Sequence, residues 1–123
     1  MRLEEVVKWI DGRVLTDEAD LHAEVEGGCG ADLMSDVLAS VQPHAVLLTG
    51  LCNPQVVRTA QMADVAAIVF VRGKMPAQAV IDLANAEKIP LITTPYGMFD
   101  LCGRLYKAGL PSLERRIASE QDD

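Results

Sequence analysis

One device, used three times in succession, constrains this chain more than any other feature. Each copy is an apolar strand, a short turn, a proline and an amphipathic helix, recurring about every twenty residues. The clearest copy is Val46-Leu-Leu-Thr-Gly-Leu-Cys-Asn-Pro-Gln55. Consecutive apolar Val46, Leu47 and Leu48 suit a strand covered on both faces. Thr49-Gly50 ends it, Asn53 stands at the N-cap position, and Pro54 takes the first helical position, where its missing N–H is harmless. The spacing predicts a helix to about Asp64, buried through Val56, Val57 and Ala60. In the second copy, strand 66–71 leads to Met75-Pro76 and a helix to about Glu87, with Ala77, Val80, Ile81 and Ala84 inward. In the third, strand 89–92 leads to Thr94-Pro95 and a helix to about Ala108, with Met98, Leu101, Cys102 and Leu105 inward. The side chains differ between copies, so the recurrence is βα architecture and not a sequence repeat. The class is therefore α/β: a single-domain, open, mainly parallel sheet flanked by helices, with three consecutive βα units in residues 45–108. The three turns fall outside the carboxyl ends of the strands, the edge at which open α/β sheets bind ligands.

The chain before this region reads less evenly. Leu3, Val6, Val7 and Ile10 form one helix face, stopped by Asp11-Gly12. Residues 13–16 are a short strand candidate. His22-Ala-Glu-Val-Glu26 alternates, which predicts a strand with one wet face, and Gly27-Gly-Cys-Gly30 then reads as a loop. Asp32 is expected to cap a helix from Leu33 to Val41 whose inward face is Met34, Val37, Leu38 and Val41, with Pro43 beyond it. Leu113 and Ile117 suggest a last helical turn. The expected organisation is one domain over residues 1–118 and a disordered tail over 119–123.

At 123 residues the chain holds one domain with a real core. Aromatic residues make up 4%, so that core is aliphatic. The formal charge of −7 is uneven: residues 1–57 carry ten acids and three bases, residues 58–123 eight of each. With no basic surplus the chain is a poor fit to nucleic acid, and with no long apolar run it is not expected to enter a membrane. The acidic N-terminus lacks the pattern of a secretory signal, so a cytoplasmic location is expected. Cys29, Cys52 and Cys102 form no CxxC pair, and His22 and His44 supply no metal-ligand spacing, so neither a disulfide framework nor a metal or cofactor is expected.

Four stretches carry residues capable of chemistry. Thr49, Gly50 and Asn53 lie in a turn that opens a helix, where free N–H groups and the helix dipole suit an anion; the same residues also make an ordinary helix start. Arg72, Gly73 and Lys74 end a buried strand, and two bases there fit phosphate or carboxylate binding or a solvated turn. Thr94 and Tyr96 offer hydroxyls and a ring that can stack on a base, or a helix cap and a lid on the core. Gly27–Gly30 with Asp32 and Asp36 offers close backbone approach to a ligand or partner. Cys52 at a helix start has the position of an activated thiol but no evident base. There is no Walker A loop, no GxGxxG and no Ser-His-Asp set, so an enzyme is not expected.

Gly30-Ala-Asp-Leu-Met-Ser-Asp-Val-Leu-Ala39, Thr49-Gly-Leu-Cys-Asn-Pro-Gln55, Arg58-Thr-Ala60 and Phe70-Val-Arg-Gly-Lys74 together resemble the DRTGG domain family over roughly residues 20–110. Leu33-Met34 stand where that family's Asp-Arg would, and Leu51 follows Thr49-Gly50. The resemblance implies an α/β fold similar to the N-terminal domain of HPr kinase/phosphorylase. Such domains occur beside phosphotransacetylases, among CBS domains in some pyrophosphatases, and alone. It further implies a non-catalytic regulatory or ligand-sensing role, often as a homodimer. The residues themselves point to a nucleotide or other small anion as the ligand of such a module, bound at the edge formed by Thr49–Asn53, Arg72–Lys74 and Thr93–Tyr96. The alternative is a protein–protein interaction or dimerisation module with no small-molecule ligand, in which Arg72 and Lys74 pair with acids across an interface.

Overall fold

The computed structural model describes residues 1–116. Five strands form one sheet in the order β1-β5-β4-β3-β2: β1 Arg13–Val14, β2 Gly27–Gly30, β3 Ala45–Thr49, β4 Ala67–Phe70 and β5 Leu91–Thr93. The pairs β2·β3, β3·β4 and β4·β5 are parallel, and β1 closes one edge antiparallel to β5. The expected α/β class and mainly parallel sheet are therefore present. Every residue of β3, β4 and β5 is buried, as continuous apolar strands between two helical layers require.

The five helices are α1 Leu3–Trp9, α2 Met34–Ser40, α3 Pro54–Ala63, α4 Gln78–Glu87 and α5 Met98–Lys107. Alternate strand residues feed two cores. Leu47, Ile68, Phe70 and Leu91 meet α2, α3 and α4 on one face. Val46, Leu48, Val69 and Ile92 meet α1 and α5 on the other. The α3 start is as the sequence predicts: Pro54 opens it and the Asn53 side chain accepts from the Val56 N–H at 3.2 Å.

The first third departs from expectation. Residues 22–26 form no strand beyond a single bridge from Glu24 to Arg2, and the expected loop Gly27–Gly30 is β2 itself. The cause is long-range. The chain returns along the outer edge of β2, where the Gly28 N–H donates to the Pro111 carbonyl at 2.8 Å and the Leu113 N–H to the Gly28 carbonyl at 2.9 Å. A Cβ on Gly27 would lie 2.5 Å from Leu113 Cγ and 2.6 Å from the Pro111 oxygen, so this strand edge needs glycine for space.

Smaller differences follow from tertiary contacts. Leu33, not Asp32, is the N-cap of α2, and Leu38 is 51% exposed. α4 begins at Gln78 with Ala77 exposed as its cap, while Pro76 before it is buried. α5 begins at Met98, capped by Gly97, because 94–97 is held as a turn by β4's end. Met98, Cys102 and Ile81 are half-buried where full burial was expected. Leu113 lies in the extended segment along β2 and not in a helical turn, and Ile117, the bound at 118 and the tail 119–123 lie outside the described residues.

Candidate functional site

Because β3, β4 and β5 are parallel, the turns that follow them meet at one edge, and they are bonded to one another. The Val71 N–H donates to the Thr49 carbonyl at 3.1 Å, the Arg72 N–H to the Tyr96 carbonyl at 2.8 Å and the Gly73 N–H to the Thr94 carbonyl at 2.7 Å. The Thr93 hydroxyl donates to the Lys74 carbonyl at 2.9 Å. The turn after β4 is closed by the Lys74 N–H on the Val71 carbonyl at 3.1 Å, and both its central residues are left-handed, Arg72 at φ 59° and Gly73 at φ 65°. Glycine is at home in that region; arginine is there at a conformational cost.

The cations of this turn reach the two neighbouring turns. Lys74 Nζ donates to the Gly50 carbonyl at 3.1 Å. The Arg72 guanidinium lies beside Gly97, the cap of α5, with Cζ 3.6 Å from where a Cβ on Gly97 would stand. Thr49, Gly50, Arg72, Gly73 and Lys74 therefore form one cluster. Asn53 is spent on its cap. The buried Thr94 hydroxyl donates to the Ile10 carbonyl at 2.6 Å and accepts from the Tyr96 N–H at 3.3 Å. The Tyr96 hydroxyl donates to Asp11, and Arg104 Cζ lies 3.8 Å from the centre of its ring. Thr94 and Tyr96 thus fasten the third turn to the end of α1.

Asp32 belongs to the same edge. Its Oδ1 accepts from the Gly50 N–H at 2.7 Å and from the Thr49 hydroxyl at 3.1 Å, which fixes the first turn from the β2 side. Sequence reasoning assigned it to a helix cap because Gly27–Gly30 read as a loop; with those residues as a strand, Asp32 falls at a strand's carboxyl end like the other turn residues.

Cys52 has its thiol raised by burial, with the Lys74 ammonium pulling the other way. His44 lies before β3, at the opposite end of the strand from Cys52, and His22 lies 3.7 Å from Glu4. Neither histidine therefore stands beside Cys52 as the base of an activated thiol. Asp36 lines a separate cavity of about 890 Å³ between β2, α2 and residues 112–116. Among the described residues no three His, Cys, Asp or Glu side chains gather to hold a metal ion, and no helix is long and apolar enough to cross a membrane.

An open, mainly parallel α/β domain with a cationic edge built from interlocked turns is the class defined by these features. The chain belongs to the DRTGG domain family, whose model matches residues 5–108. A crystal structure of the CBS and DRTGG domains of the regulatory region of Clostridium perfringens pyrophosphatase, complexed with its activator diadenosine tetraphosphate, is similar in fold, with a TM-score of 0.72 at 18% identity. The similarity covers 89% of this chain and 47% of that one, so the chain spans about half the length of that relative. No curated protein matches the sequence.

Proposed function

We propose that this chain is a non-catalytic regulatory module that senses a small anionic ligand of the nucleotide class at the carboxyl edge of its sheet. Thr49, Gly50, Arg72, Gly73 and Lys74 form the binding cluster, with Asn53, Thr94 and Tyr96 shaping its flanks. The carrying observation is the turn after β4, which holds Arg72 in a left-handed conformation with its guanidinium against Gly97 and sends Lys74 to Gly50. Backbone strain concentrates where structure serves function, and two cations above three turns suit a polyphosphate. The regulatory region to which the fold is similar binds a nucleotide activator, which supports the same ligand class here.

Thermal unfolding at fixed ionic strength with diadenosine tetraphosphate, mononucleotides, acyl phosphates, phosphate and sulfate tests this reading. A ligand at about 100 times its dissociation constant stabilises the fold by roughly 2.7 kcal/mol. In a domain of this size that moves the midpoint by several degrees. A shift specific to nucleotides and lost in Arg72→Ala is expected; a flat panel overturns the reading.

A second reading, an interaction module without a small-molecule ligand, is favoured by Phe99 and Tyr106, which are 94% and 75% exposed. On that reading Arg72→Ala weakens association and there is no ligand effect to lose.

A further inference from the structure

Asp32 is an odd residue to find on an anion site. The edge that carries Arg72 and Lys74 also carries this exposed carboxylate, just beyond the end of β2. One of its oxygens is fixed. Oδ1 accepts from the Gly50 N–H at 2.7 Å and the Thr49 hydroxyl at 3.1 Å, so it takes up donors that the first turn would otherwise offer an anion. Lys74 Nζ stands over the same turn: a Cβ on Gly50 would lie 3.3 Å from Nζ and 3.5 Å from Oδ1. The two charges nonetheless form no ion pair. Among the described residues the ion pairs are Met1–Glu24, His22–Glu4 and Arg104–Asp100.

The second oxygen, Oδ2, accepts no hydrogen bond among the described residues. The carboxylate is therefore held by one oxygen and presents the other as an acceptor beside Lys74. A wholly anionic ligand such as inorganic phosphate is repelled by such a group. A ligand that carries hydroxyl donors next to its phosphates uses both signs of charge, with phosphate oxygens on Arg72 and Lys74 and hydroxyls on Asp32. A sugar phosphate has that pattern. An acid at the end of a parallel strand next to a phosphate site is also how dinucleotide-binding α/β sheets hold a ribose hydroxyl.

We infer that Asp32 is the specificity-determining residue of this edge, accepting hydrogen bonds from the ribose hydroxyls of a ribonucleotide whose phosphates lie on Arg72 and Lys74. The inference rests on the proposed function and narrows its ligand from anions of the nucleotide class to ribonucleotides. Selection works in both directions: the carboxylate attracts the ribose and repels inorganic anions. The structural tie and the selective contact use different oxygens, and Asp32→Asn separates them. Asparagine keeps Oδ1 as the acceptor for Gly50 and Thr49. In place of Oδ2 it carries an NH2 group, which donates and cannot accept.

Isothermal titration calorimetry on the full chain tests it with ATP, 2′,3′-dideoxyadenosine triphosphate and inorganic tripolyphosphate. EDTA is present throughout, so that no cation bridges carboxylate and phosphate. Wild type is expected to bind ATP more than about tenfold tighter than either of the others, as loss of hydrogen bonds to a charged acceptor requires. In Asp32→Asn the preference for ATP over the dideoxy analogue is expected to vanish, and tripolyphosphate to bind more tightly than it does to wild type. Equal binding of ATP and the dideoxy analogue by wild type overturns the inference and leaves the nucleotide reading standing; that comparison needs no variant. An Asp32→Asn protein that keeps the preference, or that binds tripolyphosphate more weakly, overturns it as well. If wild type binds none of the three, the nucleotide reading itself fails and this inference falls with it.

Discussion

Arg72 concentrates the tension between stability and function in one residue. It holds a left-handed backbone at φ 59° in a turn whose other central residue is glycine. Replacing it by glycine removes the left-handed penalty but adds unfolded-state entropy, for a net gain of about 0.5–1 kcal/mol. Arg72→Gly is therefore expected to raise the urea midpoint while abolishing nucleotide protection; a variant less stable than wild type would show that the guanidinium holds the turns together. Asp32 acts in the opposite sense, as a tie. Loss of its bonds to the Gly50 N–H and the Thr49 hydroxyl in Asp32→Ala should cost about 1 kcal/mol in chemical denaturation. Cys29 gives a pH signature. Its thiol is 3% exposed and is pushed from 9.0 up to about 12, first by burial and then by the Glu114 carboxylate beside it. The folded state therefore favours the protonated thiol. That contribution is whole below pH 9 and is lost as the pH rises toward 12, so Cys29→Ala should flatten the alkaline fall in unfolding free energy.

Elements set by neighbours in the chain were readable from the sequence; those set by distant contacts were not. α3 shows the first case: Asn53 and Pro54 begin it and Val56, Val57 and Ala60 bury it, all within one short stretch. Asn53→Ala should cost about 1 kcal/mol of stability, measurable in the same denaturant series. β2 shows the second. Gly27-Gly-Cys-Gly30 has the composition of a loop, and only the strap at residues 111–113 makes it a strand edge. Gly27→Ala would set a Cβ against Leu113 and the Pro111 oxygen and should destabilise by roughly 1–3 kcal/mol, as overpacking of a closed contact does. Alternation in residues 22–26 misled because period-2 patterning marks an extended chain facing a core on one side. That is what Val25 does, fully buried, with its N–H on the Met1 carbonyl at 2.7 Å and no more than the single Arg2–Glu24 bridge beside it.

Across the whole molecule, three βα units in parallel fixed the edge at which the candidate residues meet, and this was visible from periodicity alone. What the periodicity did not carry was the wiring: that Lys74 reaches Gly50, that Arg72 lies against Gly97, and that Thr94 and Tyr96 turn toward α1. Those are contacts between turns about twenty or more residues apart, and side-chain direction at a strand end has no short-range signature. The same holds for Phe99 and Tyr106 of α5, whose spacing is readable but whose exposure follows from where the helix packs. The central claim is that the strand-end edge is the ligand site, and an amide nitrogen–proton NMR titration with a nucleotide polyphosphate such as ATP tests it most directly. Shifts that saturate and concentrate on the amides of Gly50, Arg72, Gly73, Lys74 and Gly97 are the predicted result. Shifts confined to the cavity between β2 and α2, or no saturable shifts, would contradict it.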